Sequence, residues 1–189
     1  MPKQSKTAPL FVALLRGINV GGNNMISMSS LKTSFERKGF TDVSTYINSG
    51  NIIFRAKDDD ARELEKTIER MLERDYKLGC KVVVRSFSEM AALVKSLPKT
   101  WSDERWKYNV IFLRPSIDSK SVLDTLNAKA EIEEVIYRRG TVLWATKVSD
   151  AKQSAWIKLP RKKIFQDMTV RNLNTTKKIY ELMKSKDEG

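Results

Sequence analysis

A chain of 189 residues with 41% apolar content is long enough for one large domain or two small ones, with a real core. It contains no histidine and one cysteine, Cys80, which excludes Ser-His and Cys-His catalysis, histidine-bound metal, Cys-rich zinc sites and an internal disulfide. The formal charge is +12 and uneven, with +6 carried by residues 152–189 alone, which suits a polyanion or a phosphate-bearing partner as well as solubility. No apolar run approaches the roughly 18 residues of a membrane span, and the polar start from Met1 to Thr7 has no signal-peptide core, so a cytoplasmic protein away from membranes is expected.

The first element is the wholly apolar run Leu10-Phe11-Val12-Ala13-Leu14-Leu15, which reads as a buried strand. It runs into Arg16-Gly17-Ile18-Asn19-Val20-Gly21-Gly22-Asn23-Asn24, a Gly/Asn-rich loop suited to left-handed backbone angles. About eleven residues separate this strand from the next helical pattern, against the roughly 2 to 6 of an ordinary connection. Excess loop at a strand end is where sites tend to lie.

Met28, Leu31 and Phe35 then recur at helical spacing, with Ser27 or Ser29 as cap and Lys38-Gly39 as stop. Val43 to Ile47 and Ile52 to Phe54 form a hairpin across Asn48-Ser49-Gly50-Asn51. Asp58 to Asp60 can cap an amphipathic helix whose one face holds Ala61, Leu64, Ile68, Met71 and Leu72, and which Gly79 closes before a strand from Cys80 to Val84. This order is βαββαβ, the ferredoxin-like unit. A right-handed crossover puts the third strand between the first two, so the end of strand one, the Asn48–Asn51 turn and the start of strand four converge.

Ser86-Phe87-Ser88-Glu89 has capping-box spacing for a short helix, and Leu97 to Lys107 reads as a connector. The second half repeats the first in part. Val110-Ile111-Phe112-Leu113-Arg114-Pro115 echoes Val12 to Gly17, a helix with Val122, Leu123 and Leu126 follows, and a hairpin turns at Arg138-Arg139-Gly140-Thr141. Pro160 fits a helical first turn, and Asn172, Asn174 or Thr175 can cap a final helix with Ile179, Leu182 and Met183. The expected fold class is α+β: a ferredoxin-like subdomain over residues 1–97, then a second α/β-sandwich subdomain over 98–189, a partial βαββ repeat followed by basic C-terminal helices.

Three stretches, Leu14-Leu15-Arg16-Gly17-Ile18-Asn19-Val20-Gly21-Gly22, Thr45-Tyr46-Ile47-Asn48-Ser49-Gly50-Asn51 and Thr169-Val170-Arg171-Asn172-Leu173-Asn174-Thr175, closely resemble the bacterial domain-of-unknown-function family 1697. The resemblance implies two small α+β subdomains in a cytoplasmic protein and no particular reaction. Leu173 stands where the family usually has Trp.

These motifs nominate a ligand-binding set of Arg16, Asn19, Gly21, Gly22, Asn23, Asn48, Ser49, Asn51, Arg171 and Asn172. Backbone N–H groups of a Gly-rich loop can cradle a phosphate or carboxylate, with Arg16 supplying charge. The spacing is neither a dinucleotide fingerprint nor a Walker loop. Lys158, Arg161, Lys162, Lys163, Lys177 and Lys178 form a second set suited to nucleic-acid backbone, since no aromatics interleave them. Gly50-Asn51-Ile52-Ile53-Phe54 lacks the paired third-strand aromatics of RNA-recognition modules. The sequence therefore reads as a binding protein for nucleic acid or a phosphorylated small molecule, with no cofactor and no metal. Two alternatives stand beside it: an enzyme on a small phosphorylated or carboxylated substrate, and an interaction module whose loops serve topology alone.

Overall fold

The computed structural model describes residues 8–19 and 25–189. It divides into two compact units, one running to Met90 and including Glu181–Gly189, the other Ala91–Tyr180. Each is built on a four-stranded antiparallel sheet.

In the first unit the order is β1 (Leu10–Leu15), α1 (Met28–Arg37), β2 (Thr41–Tyr46), β3 (Asn51–Arg55), α2 (Ala61–Tyr76) and β4 (Val82–Ser86). The strands lie β2-β3-β1-β4, the ferredoxin-like arrangement. All six side chains of β1 are buried, as an unbroken apolar run requires. Phe11, Ala13 and Leu15 share a core with Leu31 and Phe35 of α1 and Leu64, Ile68, Met71 and Leu72 of α2. Alternation along the strand and the 3.6-residue period of the helices put these residues on facing surfaces.

Capping follows the local sequence. Ser27 Oγ accepts from Ser30 N–H, and Asp60 accepts from Arg62 N–H. The second helix closes on Lys77, left-handed at φ 55°, two residues before the expected Gly79. Strand β4 is an edge, and α2 supplies acceptors to it: Glu69 takes Val82 N–H and Glu65 takes Val84 N–H, both at 3.0 Å. Two residues of strand and four of helix advance by nearly the same distance, about 6 to 7 Å, so one pair of glutamates fits one pair of amides.

α3 (Phe87–Lys95) opens on the expected capping box: Ser86 N–H donates to Glu89 Oε2 at 2.8 Å and Glu89 N–H to Ser86 Oγ at 3.2 Å. The second sheet comprises β5 (Trp106–Leu113), β6 (Glu133–Arg138), β7 (Thr141–Lys147) and β8 (Met168–Asn172), in the order β6-β7-β5-β8. α4 (Val122–Leu126) follows β5, and α5 (Leu173–Glu188) ends the chain.

This sheet repeats the first strand for strand, with β8 in the place of β4, so the repeat extends one strand beyond the expected βαββ. The stretch read as a basic helix beginning near Pro160 is instead a series of 3-10 turns, Ala155–Arg161 and Lys163–Asp167, which stand where α2 stands in the first unit. Pro160 inside the first of them removes a backbone donor and holds the segment out of a regular α-helix. Its start is fixed by a buried carboxylate: Glu133 accepts from Ser154 Oγ and from Ala155 N–H at 3.3 Å, and is itself held by Trp144 Nε1 at 3.2 Å and Lys129 N–H at 2.8 Å.

Candidate functional site

At the end of β1 the backbone ties three pieces of chain together. Leu15 N–H donates to Gly50 O at 2.8 Å, and Arg16 N–H to Lys81 O at 3.0 Å. Cys80, buried, donates from Sγ to Arg16 O at 3.1 Å. The loop after β1, the β2–β3 turn and the approach to β4 thus meet at one end of the sheet.

The amides gathered here differ in role. Asn19 Nδ2 donates to Ile26 O and to Asn48 O, both at 2.9 Å, while its Oδ1 accepts Ile26 N–H at 2.7 Å. Asn51 is fully buried and donates to Tyr46 O at 3.0 Å and to Ser49 Oγ at 3.2 Å. Both side chains hold the loop in shape. Asn48 is exposed, and Arg16 and Ser49 are half-buried. Gly21, Gly22 and Asn23 lie outside the described residues.

Left-handed backbone is concentrated at this end, in Gly17, Asn19, Ile47 and Gly50. Gly50 admits no side chain: at φ +76° a Cβ there would sit 2.8 Å from atoms of Ile18 and Leu15. Ile47 is the unusual member, a β-branched residue at φ 47° whose side chain is exposed.

The second unit repeats the frame. Leu113 N–H donates to Gly140 O at 2.9 Å and Arg114 N–H to Asp167 O at 3.0 Å, which makes Gly140 the counterpart of Gly50, Arg114 of Arg16 and Asp167 of Lys81. Gly140 has φ 77°, against 76° at Gly50. In this copy the protein places carboxylates at the sheet end. Asp118 Oδ1 accepts Gly140 N–H at 2.7 Å and the Tyr137 hydroxyl at 2.9 Å. Burial, reinforced by that bond to Asp118, holds the Tyr137 hydroxyl above the usual tyrosine range. Asp167 lies 3.7 Å from Arg114 Nε.

The first unit reverses the charge. Lys81 stands in the place of Asp167, exposed, with its Nζ 4.0 Å from Glu69, and no acidic residue occurs between Arg16 and Ser27. Lys81 was absent from the residues nominated by sequence. Its signal was the order of strands, which put the start of β4 at this end.

Arg171 and Asn172 lie on β8 of the second unit. Arg171 is buried opposite Val110, the register position that Arg85 holds opposite Val12 in the first unit. Each of these arginines donates from Nη1 to the carbonyl of the residue before it, at 2.8 Å for Arg85 and 2.7 Å for Arg171. Asn172 caps α5, its Oδ1 accepting Thr175 N–H at 2.7 Å. Of the basic set, Lys158, Arg161, Lys163, Lys177 and Lys178 are exposed, whereas Lys162 Nζ donates to Thr125 O at 2.7 Å. Among the described residues no group of three or more Cys, Asp and Glu could hold a metal ion, and no helix is long and apolar enough to cross a membrane.

The family described as protein of unknown function DUF1697 matches over residues 9–144, a span that contains the first two motifs and leaves out the third. No curated protein matches the chain. Among solved structures, the conserved bacterial protein SP0830 from Streptococcus pneumoniae is 26% identical, with a TM-score of 0.83, covering 93% of this chain and 98% of that one.

Proposed function

The chain belongs to the DUF1697 family, whose description names no activity, and we propose that it binds a phosphate- or carboxylate-bearing ligand at the sheet end of its first unit. One observation carries this reading: the second unit fills the equivalent end with its own carboxylates, Asp118 and Asp167, while the first unit has Lys81 and an acid-free loop there. A sheet end that accepts an internal carboxylate in one copy has, in the other, the charge to accept an external anion.

In this reading Arg16 and Lys81 attract the anion, Asn48 and Ser49 donate to its oxygens, and Asn19 and Asn51 keep the loop and turn in place. Gly21, Gly22 and Asn23 belong to the same proposal as the loop's backbone donors. Calorimetric titration with inorganic phosphate and with acetate tests it. The expected result is binding that Lys81→Ala and Arg16→Ala each weaken by about tenfold, a loss of about 1.4 kcal/mol. Because Arg16 is half-buried, the exposed Lys81 provides the variant least able to disturb folding. Unchanged affinity in both would remove this end of the sheet from binding.

A second reading, contact with nucleic-acid backbone, draws on the exposed Lys158, Arg161 and Lys163. It separates from the first by salt: about six phosphate contacts lose roughly a thousandfold in affinity between about 50 and 200 mM salt, whereas a single small anion loses far less.

A further inference from the structure

The asparagines of the Arg171-Asn172-Leu173-Asn174-Thr175 motif play no part in the site proposed above. Asn172 and Asn174 line a groove of about 340 Å³ in the second unit, together with Trp106, Lys107, Tyr108, Asn109 and Leu173. The strand register builds it, since Asn109 of β5 faces Asn172 of β8 and α5 begins at the next residue. The size is near the lower limit of ordinary ligand pockets, about 300 Å³, and suits a small ligand rather than a chain.

Its lining is chemically distinctive. Along β5 the aromatic Trp106 and Tyr108 alternate with Lys107 and Asn109, so a ligand at this strand edge meets rings on one side and the amides of Asn109 and Asn172 on the other, with no carboxylate among the lining residues. The side-chain amides of Asn109 and Asn174 have no hydrogen-bond partner among the described residues, and Asn172 keeps its Nδ2 donor after Oδ1 caps the helix. Trp101 stacks on Tyr108 at 4.9 Å between centroids, and Lys147 Nζ lies 5.6 Å from the Trp106 ring centre, so both aromatic residues are held from within the unit. Lys107 lies in the groove itself, Lys147 stands against its Trp106, and Lys177 is exposed on the same face of α5 as Asn174 by its spacing of three.

Amides pair with the donor–acceptor edges of nucleobases, aromatic rings stack on their faces, and lysines take the attached phosphate. We propose that this groove binds a nucleobase together with its phosphate. β5 carries Trp106 and Tyr108 within this groove, whereas β3 of the first unit carries Phe54 alone. A free nucleotide and a base unstacked from a single strand offer the same chemistry.

The test is fluorescence anisotropy with the full chain at about 50 mM salt, using labelled single strands of about eight nucleotides. The strand is compared with an abasic strand of equal length, and AMP is added as competitor. The base-bearing strand should bind at least about fivefold tighter than the abasic one, the lower end of one stacked base. The doubly substituted Asn109→Ala, Asn174→Ala protein should lose that difference while keeping its affinity for the abasic strand. Competition by AMP would identify the free nucleotide as a source; binding of the strand without competition would identify the strand. Equal affinity for base-bearing and abasic strands in the native protein, with no effect of AMP, would overturn the proposal. So would a preference for bases that survives both asparagine substitutions.

Discussion

At the end of β5 the protein meets its sheet with acid, Asp118 on Gly140 and Tyr137 and Asp167 beside Arg114; at the end of β1 the matching positions hold Lys81 and a loop without a carboxylate. The backbone frame is the same in both, down to the two N–H hydrogen bonds that the strand end donates and the left-handed glycine of the hairpin. What differs is the charge placed on the frame. In one copy of the duplicated scaffold aspartates stand on the hairpin glycine and beside the arginine, and in the other a lysine, paired with Glu69 of α2, takes the aspartate's place. On the proposal above, the carboxylates of the second copy indicate the ligand chemistry of the first.

The comparison can be broken most severely at its shared glycine. Gly50→Ala forces a Cβ against Ile18 and Leu15 in a left-handed conformation. Steric overpacking and backbone strain together should cost about 3 kcal/mol, read as a drop in urea midpoint. Removing the internal anion comes next. Asp118→Ala leaves Gly140 N–H and the Tyr137 hydroxyl without their acceptor, and should destabilise by about 1 to 3 kcal/mol. Added acetate or phosphate should restore part of that loss in a thermal melt, because the vacated place is shaped for a carboxylate.

A smaller effect concerns pH. The Tyr137 hydroxyl is raised, so its neutral form is favoured in the folded state, and the stability it contributes is complete below the ordinary tyrosine value of about 10 and declines as pH rises through the folded value. In Tyr137→Phe this alkaline decline should be reduced, as measured by chemical denaturation across that range. The smallest change lies in the first unit: Ile47→Asn relieves a β-branched residue at φ 47° and should stabilise by under about 1 kcal/mol, read as a rise in urea midpoint.

The first unit was legible because each of its signals is local and agrees with the next. An unbroken apolar strand, a Gly/Asn turn, a capped amphipathic helix and the ferredoxin-like order together place Arg16, Asn48 and Lys81 at one end. The second unit hid its fourth strand. Met168–Asn172 is short, ends in the asparagine that caps α5, and buries Arg171, so cap chemistry outweighed strand pattern. The 3-10 turns before it have no regular apolar period, and Pro160 gave a helix-start signal where a broken turn was built.

Site residues divided for a similar reason. An asparagine's type does not say whether its amide faces a ligand or, as in Asn19 and Asn51, its own backbone. The groove at Trp106, Asn109 and Asn174 needed the β5–β8 register, which no local pattern carries.

The central claim is that the two sheet ends differ by charge on a common frame, and a charge swap tests it most directly: phosphate titrated into the native protein and into Lys81→Asp, followed by calorimetry. Lys81→Asp gives the first unit the residue type that the second carries at Asp167, and the account predicts a fall in phosphate affinity of at least about tenfold without loss of the fold. Phosphate binding of equal strength in the folded variant would contradict it.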